Sequence, residues 1–244
     1  MNAAPRSWMA TLLAALAWGP LVPCAAAQVA PADSVSEPAA TFEWSTSYAS
    51  RYAFQGIDYS DGRPVLQPSV SASRFGFTAG LWGTADQTQR RLDEFDATVQ
   101  RDLEHGRWSG ALGYEYLRFP NRDGWSPTHE GYLDLAFDAA GSPSLSMHWD
   151  VAAGAGRYWT LGAVREFPAP GGTLGAGIKL NAQEHYYGMT GIPSVETRVS
   201  FAIPCAGLAL VPSISRIWTW SNGDFRAEQA IAPGWLASVD LSPR

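Results

Sequence analysis

The chain has 244 residues, 46% of them hydrophobic, yet its mean hydropathy is only −0.13. It carries 11 Trp, 9 Tyr and 10 Phe with only 16% charged residues, too aromatic and too uncharged for a disordered chain. A single lysine, Lys179, excludes a coiled coil built on A/E/K/L heptads, and a net charge of −6 argues against a nucleic-acid partner.

Residues 1–27 read as a secretory signal peptide. Arg6 supplies the positive start, Trp8 to Trp18 the apolar stretch, and Ala25-Ala26-Ala27 the small-residue cleavage site. A lipoprotein at Cys24 fits less well, because Pro23 stands where a small residue is wanted. Residues 28–40, rich in Ala, Pro and Ser, read as a flexible leader, leaving 41–244 as a single domain. Cys205 is then the only cysteine and has no internal partner. No run after the signal reaches the ~18 apolar residues of a transmembrane helix.

From Phe42 onward the chain alternates with period two, the signature of strands. Phe42, Trp44, Thr46, Tyr48, Tyr52 and Phe54 share one face. Glu43, Ser45, Ser47, Ala49, Arg51 and Gln55 share the other. A strand of that length is predicted to cross a bilayer at a tilt, which takes about 9–11 residues. Further strands are predicted over 75–82, 94–103, 108–116, 130–138, 145–152, 174–181 and 195–203. Weaker ones fall at 64–73, 157–167, 208–218 and 235–241. The total is about twelve. Some connections read as tight turns (105–106, 170–172), others as long loops (120–128, 182–194), as at the two rims of an outer-membrane barrel.

A soluble sandwich and a membrane barrel share this alternation. Three features favour the barrel. The strands are long. Aromatic residues collect near strand ends, at Tyr52 and Phe54, Tyr116 and Phe119, Tyr158 and Trp159, Trp218 and Trp220, as interfacial girdles would. The polar face is rich in Gly, Ala and Ser, as a narrow lumen requires. The expected fold is therefore all-β, an antiparallel transmembrane β-barrel of about 12 strands.

Ser50-Arg51-Tyr52-Ala53-Phe54-Gln55-Gly56-Ile57-Asp58 resembles the S-D-Y-x-F-R-G-I-S opening of the TorF-type porin family of proteobacteria. Pro64-Val65-Leu66-Gln67 is similar to its P-A-x-Q, and Gly76 to Thr84, with Gly80 and Trp82, to its G-F-Y-x-G-x-W-G-S strand. Asp93-Glu94-Phe95-Asp96 and Gly113-Tyr114-Glu115-Tyr116 with Pro120 continue the match, in order, over about residues 44–137. The resemblance implies an outer-membrane porin and no particular solute. Arg51 and Gln55 replace the family's Asp and Arg, so a salt bridge between those two would be altered. The ending Val239 to Arg244 lacks the terminal aromatic residue that the barrel-assembly machinery usually reads.

With the polar parity facing the lumen, the expected pore-lining acids are Glu94, Asp96, Asp102, Glu115, Glu130, Asp134, Asp138 and Asp150. The expected bases are Arg51, Lys179 and Arg198. Charged groups on opposite walls can select ions, and this set predicts a cation-preferring passive channel for small solutes or ions. The alternatives are a barrel plugged by its own paired charges, acting structurally or in ligand binding, and a soluble periplasmic lipocalin-like or β-sandwich binder. Outer-membrane lipid, small solutes or ions and the assembly machinery are the expected partners. No cofactor, metal or enzymatic activity is expected. The four histidines lie in separate segments, and Ser146, His148 and Asp150 merely share one strand face.

Overall fold

The computed structural model describes residues 39–219 and 234–244. The expected signal peptide, most of the expected leader and the expected turn at 221–224 lie outside the described residues. Twelve long strands form one closed antiparallel barrel: β1 (Thr41–Ala49), β4 (Val65–Arg74), β5 (Phe77–Asp86), β6 (Arg91–His105), β7 (Trp108–Arg118), β8 (Thr128–Phe137), β9 (Ser144–Asp150), β10 (Arg157–Ala169), β11 (Gly172–Tyr186), β12 (Met189–Cys205), β13 (Leu208–Thr219) and β14 (Gly234–Pro243). Two short strands, β2 (Ala53–Phe54) and β3 (Ile57–Asp58), pair with each other outside that ladder. The first and last strands close the ring, with Thr46 opposite Leu241 and Ala49 opposite Ser238. Closure removes both sheet edges, so the ladder leaves no row of unpaired backbone groups.

The connections sort by rim. Residues 75–76, 106–107, 138–143, 170–171 and 206–207 lie at one rim, together with the start of β1 and the end of β14. Residues 50–64, 87–90, 119–127, 151–156 and 187–188 lie at the other, hereafter the loop rim. Two of these connections differ from the sequence expectation. The segment 182–194 is no long loop: Tyr187 and Gly188 both take positive φ (48° and 76°) and close a two-residue hairpin opposite Tyr186 and Met189. A tyrosine in the left-handed region gives no composition signal for a turn. The strand starting at Phe42 ends at Ala49, not at residue 54 or 55. Ser50 still pairs with β14, its N–H donating to the Ala237 carbonyl at 2.8 Å, and then the chain turns inward.

The alternation decides the two faces. Val70, Leu81, Val99, Leu112, Leu161, Ile178, Val199 and Ile214 are all about half exposed on the outer surface. Phe42, Phe75, Phe77, Trp108 and Phe167 ring the short-turn rim, and Tyr48, Tyr114, Trp159, Trp218 and Trp235 the loop rim. The opposite parity, with Ser45, Ser47, Gln67, Thr84, Thr160, Asn181 and Ser215, is buried inside. A soluble barrel or sandwich would put its apolar parity inside, so this arrangement sets aside the sandwich and lipocalin-like alternatives. Of the aromatic residues expected in girdles, Tyr116, Trp159 and Trp218 lie on outward parity. Tyr52, Phe54, Phe119 and Tyr158 do not. Tyr158 is on the inward parity of β10, and the other three lie beyond the ends of the barrel strands, where barrel alternation no longer sets direction. Trp220 is outside the described residues.

Candidate constriction and lumen

The segment 50–64 runs from β1 to β4, which are neighbours in the ring. Within it Ala53 pairs with Asp58 and Phe54 with Ile57 around Gln55-Gly56. Both turn residues have positive φ (51° and 81°), the backbone of a type I′ hairpin turn, for which glycine is suited. Asp58 organises the return. One carboxylate oxygen accepts from the Ser60 N–H (3.0 Å) and hydroxyl (3.1 Å), the other from the Gly62 N–H (3.0 Å). Arg51 stands 3.7 Å from the same carboxylate. The altered family positions therefore have their own solution: Arg51 pairs with Asp58, and Gln55 faces the far wall.

The hairpin crosses the barrel. Its tip residue Gln55 donates from Nε2 to the Thr160 hydroxyl of β10 at 3.2 Å, and β10 stands six strands from β4 in the ring of twelve. A Cβ added to Gly56 would lie 2.8 Å from the Ser194 Cβ of β12. Phe54 meets the Tyr158 ring edge-on at 5.4 Å, and Tyr52 packs on Trp82 of β5 at 5.7 Å. The Arg122 guanidinium, from the 119–127 loop, donates to the Tyr59 carbonyl. Burial, reinforced by nearby Glu94, raises the Tyr59 phenol above its ordinary pKa, so it stays neutral beneath Trp125. The motif residues surround this device. Ser50 extends β1, Tyr52, Phe54 and Gly56 form the hairpin, Pro64 leads into β4, and Gln67 and Trp82 lie on the inner wall. Gly80 faces inward lower down, where a Cβ would meet the Thr98 hydroxyl at 2.7 Å.

The lumen is uneven along its axis. Toward the short-turn rim many of its inward positions are small and partly accessible, among them Ser71, Ser73, Ser144, Gly177, Ser200 and Ser213. Toward the loop rim it is filled by the hairpin and larger polar groups.

The predicted charges fall as follows. Glu94, Asp96 and Asp102 of β6, Glu115 of β7, Glu130 and Asp134 of β8 and Asp150 of β9 all take the inward parity and form one acidic wall. Lys179 and Arg198 face inward from β11 and β12, and β12 stands six strands from β6. These bases bring their own acids: Arg198 donates to Asp240 at 2.6 Å, and Lys179 sits opposite Glu196. Arg51 lies in the inward segment, not on a strand. Asp138 is a correction: β8 ends at Phe137, so Asp138 sits on the short-turn rim, its N–H bonded to the Arg107 carbonyl and its carboxylate half exposed.

Sequence reasoning missed the groups between the acids. Tyr132, His148 and Tyr158 are cross-strand neighbours, and the His148 ring is stacked between the two tyrosines at 5.2 and 4.6 Å. Tyr186 donates to Glu130 at 2.7 Å. Only the register of four strands brings these together. Asp93, buried beside Glu94, was missed because a register shift against Thr84 and Ala85 breaks the alternation there.

Among solved structures, the chain superposes on one titled "KdgM porin" with a TM-score of 0.51 at 9% identity, covering 83% of this chain and 98% of that one. A NanC porin structure gives 0.55 at 10% identity, with 84% and 100% covered. This chain has the fold of a porin. No family model matches it, and no curated protein does. The likeness is of architecture.

Proposed function

We propose that this protein is an outer-membrane porin, a passive channel for small solutes or ions, whose aqueous path is narrowed by the inward hairpin at 53–58. One observation carries the reading: a closed twelve-stranded barrel, apolar outside and polar within, is crossed by a segment anchored on both walls. Such a surface is suited to lipid, because the closed ring pairs each strand with a neighbour on both sides. The aromatic rims suit the two interfaces. Arginines lie over the short-turn ring, Arg74 over Phe75, Arg101 over Phe77 and Arg165 over Phe167, where lipid phosphates would lie.

The acidic wall favours cations over anions, since its seven carboxylates face two bases that already have acidic neighbours. The ordered likeness to TorF-type porins over about residues 44–137 supports the class and leaves the solute open. Residues 1–27 would direct export and then be removed, and insertion would need the barrel-assembly machinery. The seating of Gln55 on the opposite wall and the burial of Ile57 support a second reading, a barrel that is closed at rest.

Purified protein in a planar bilayer under a KCl gradient tests these readings. The proposal expects small unitary currents and a reversal potential on the cation side. Quiet membranes containing folded protein would favour the closed barrel, and anion preference would refute the charge argument.

A further inference from the structure

We propose that Glu115, Glu130 and His148 form a binding site for a divalent first-row transition-metal ion in the wall of the lumen. The inference deepens the channel reading by naming a cation class that the acidic wall would hold. It relies on that reading only for how the ion arrives.

The three donors come from three consecutive strands. Glu115 and Glu130 are direct cross-strand partners on β7 and β8, and His148 lies on β9 two residues from Asp150, the direct partner of Glu130. One ligand atom from each lies within 4.8 Å of the other two. His148 Nδ1 is 3.1 Å from a Glu130 oxygen and 4.0 Å from a Glu115 oxygen. Tetrahedral coordination with bonds of about 2.0–2.2 Å places ligand atoms about 3.3 Å apart. Of the three separations, His148–Glu130 is already near that value, and the two that involve Glu115 close by rotation of its side chain. One imidazole with two carboxylates suits Zn2+, Co2+ or Mn2+ better than Ca2+ or Mg2+, which favour all-oxygen sets.

The surroundings are those of a supported ligand set. Tyr186 occupies one Glu130 oxygen and leaves the other toward His148. Tyr132 and Tyr158 hold the imidazole from both faces, and Tyr132 is itself fixed by donating to Gln100 at 2.9 Å. Such outer partners orient metal ligands. Glu115 and His148 keep 17% and 15% side-chain exposure, a route in from the lumen.

Two further observations point to a cation. Directly opposed like charges on paired strands repel, yet Glu115 faces Glu130. Asp96, 93% buried on the same wall and paired with Leu117, two residues from Glu115, has a carboxylate oxygen with no hydrogen-bond partner. Buried carboxylates are stable when paired or bound to metal.

The test uses full-length detergent-solubilised protein carrying Cys205→Ser, with folding confirmed by heat-modifiable gel mobility. Co2+ is titrated and followed by visible absorption and calorimetry, with Zn2+ as competitor. The proposal expects one Co2+ per chain, displaced by Zn2+. Binding should fall at least tenfold in Glu130→Gln and in the more exposed Glu115→Gln, and about tenfold in Tyr186→Phe, which removes only an orienting group. Folded parent protein that binds no Co2+, or binds it equally well in both glutamine variants, would overturn the site. The two readings fail separately. Stoichiometric Co2+ binding without any current retains the site and refutes the channel. Currents that persist in protein binding neither metal retain the channel and refute the site.

Discussion

Gly56 is the hinge of the constriction, and its replacement by valine should open the lumen. Gly56 has φ +81°, and an added Cβ would lie 2.8 Å from the Ser194 Cβ and 3.1 Å from its hydroxyl oxygen. Holding a non-glycine residue in the left-handed region costs about 1–2 kcal/mol, and overpacking adds about 1–3 kcal/mol. The seat it must overcome is small. Phe54 on Tyr158 and Tyr52 on Trp82 are each worth about 0.5–1.5 kcal/mol, and the buried Gln55–Thr160 hydrogen bond about as much. These wall contacts and the strain are each about 3 kcal/mol, so Gly56→Val should raise the population of released hairpins. The barrel ladder contains neither β2 nor β3 and should keep its heat-modifiable mobility. Single-channel recording should show larger or more frequent openings than in the parent, and Gly56→Ala should fall between the two. A folded Gly56→Val barrel with unchanged conductance would refute the hairpin as the constriction.

Asp240→Asn removes one partner of the buried Arg198 pair and should lower stability by about 3 kcal/mol, read as a lower heat-modification temperature or denaturant midpoint. Val199→Arg puts a charge on the apolar outer face and should destabilise the barrel in bilayers by about 2–4 kcal/mol, whereas Ser200→Arg on the inward face should cost less and reduce conductance. Gly113→Ala sets a Cβ 2.2 Å from the Tyr132 ring and should destabilise by about 1–3 kcal/mol, measured in the same denaturation. Asp96→Asn with Asp102→Asn should move the KCl-gradient reversal potential toward zero, and no movement would detach selectivity from the acidic wall.

The barrel was legible because its two faces differ in chemistry at every second residue. Strands such as β6, β7, β8 and β12 carry that contrast along most of their length, so Glu115, Glu130 and Arg198, which share the polar parity in the sequence, all turn inward. Parity fails where strands stop. Asp138 was one residue past the end of β8, and Tyr52 and Phe54 lay beyond β1, captured by a turn at Gln55-Gly56 and by Asp58. The motif that resembles porins was visible in the sequence, but its inward fold was not. That fold depends on Thr160 and Ser194, more than a hundred residues away. The Glu115–Glu130–His148 cluster was hidden for a related reason. Spacing along the chain separates its members, and register across three strands unites them.

On the proposed reading, the polar face of this barrel lines a path through the membrane. Cysteine accessibility in a Cys205→Ser background tests it most directly, with single channels recorded while a charged methanethiosulfonate reagent is added. Ser200 faces the lumen and its neighbour Val199 faces outward. Current through Ser200→Cys should fall on modification, and current through Val199→Cys should not change. Block through Val199→Cys with none through Ser200→Cys would contradict the account.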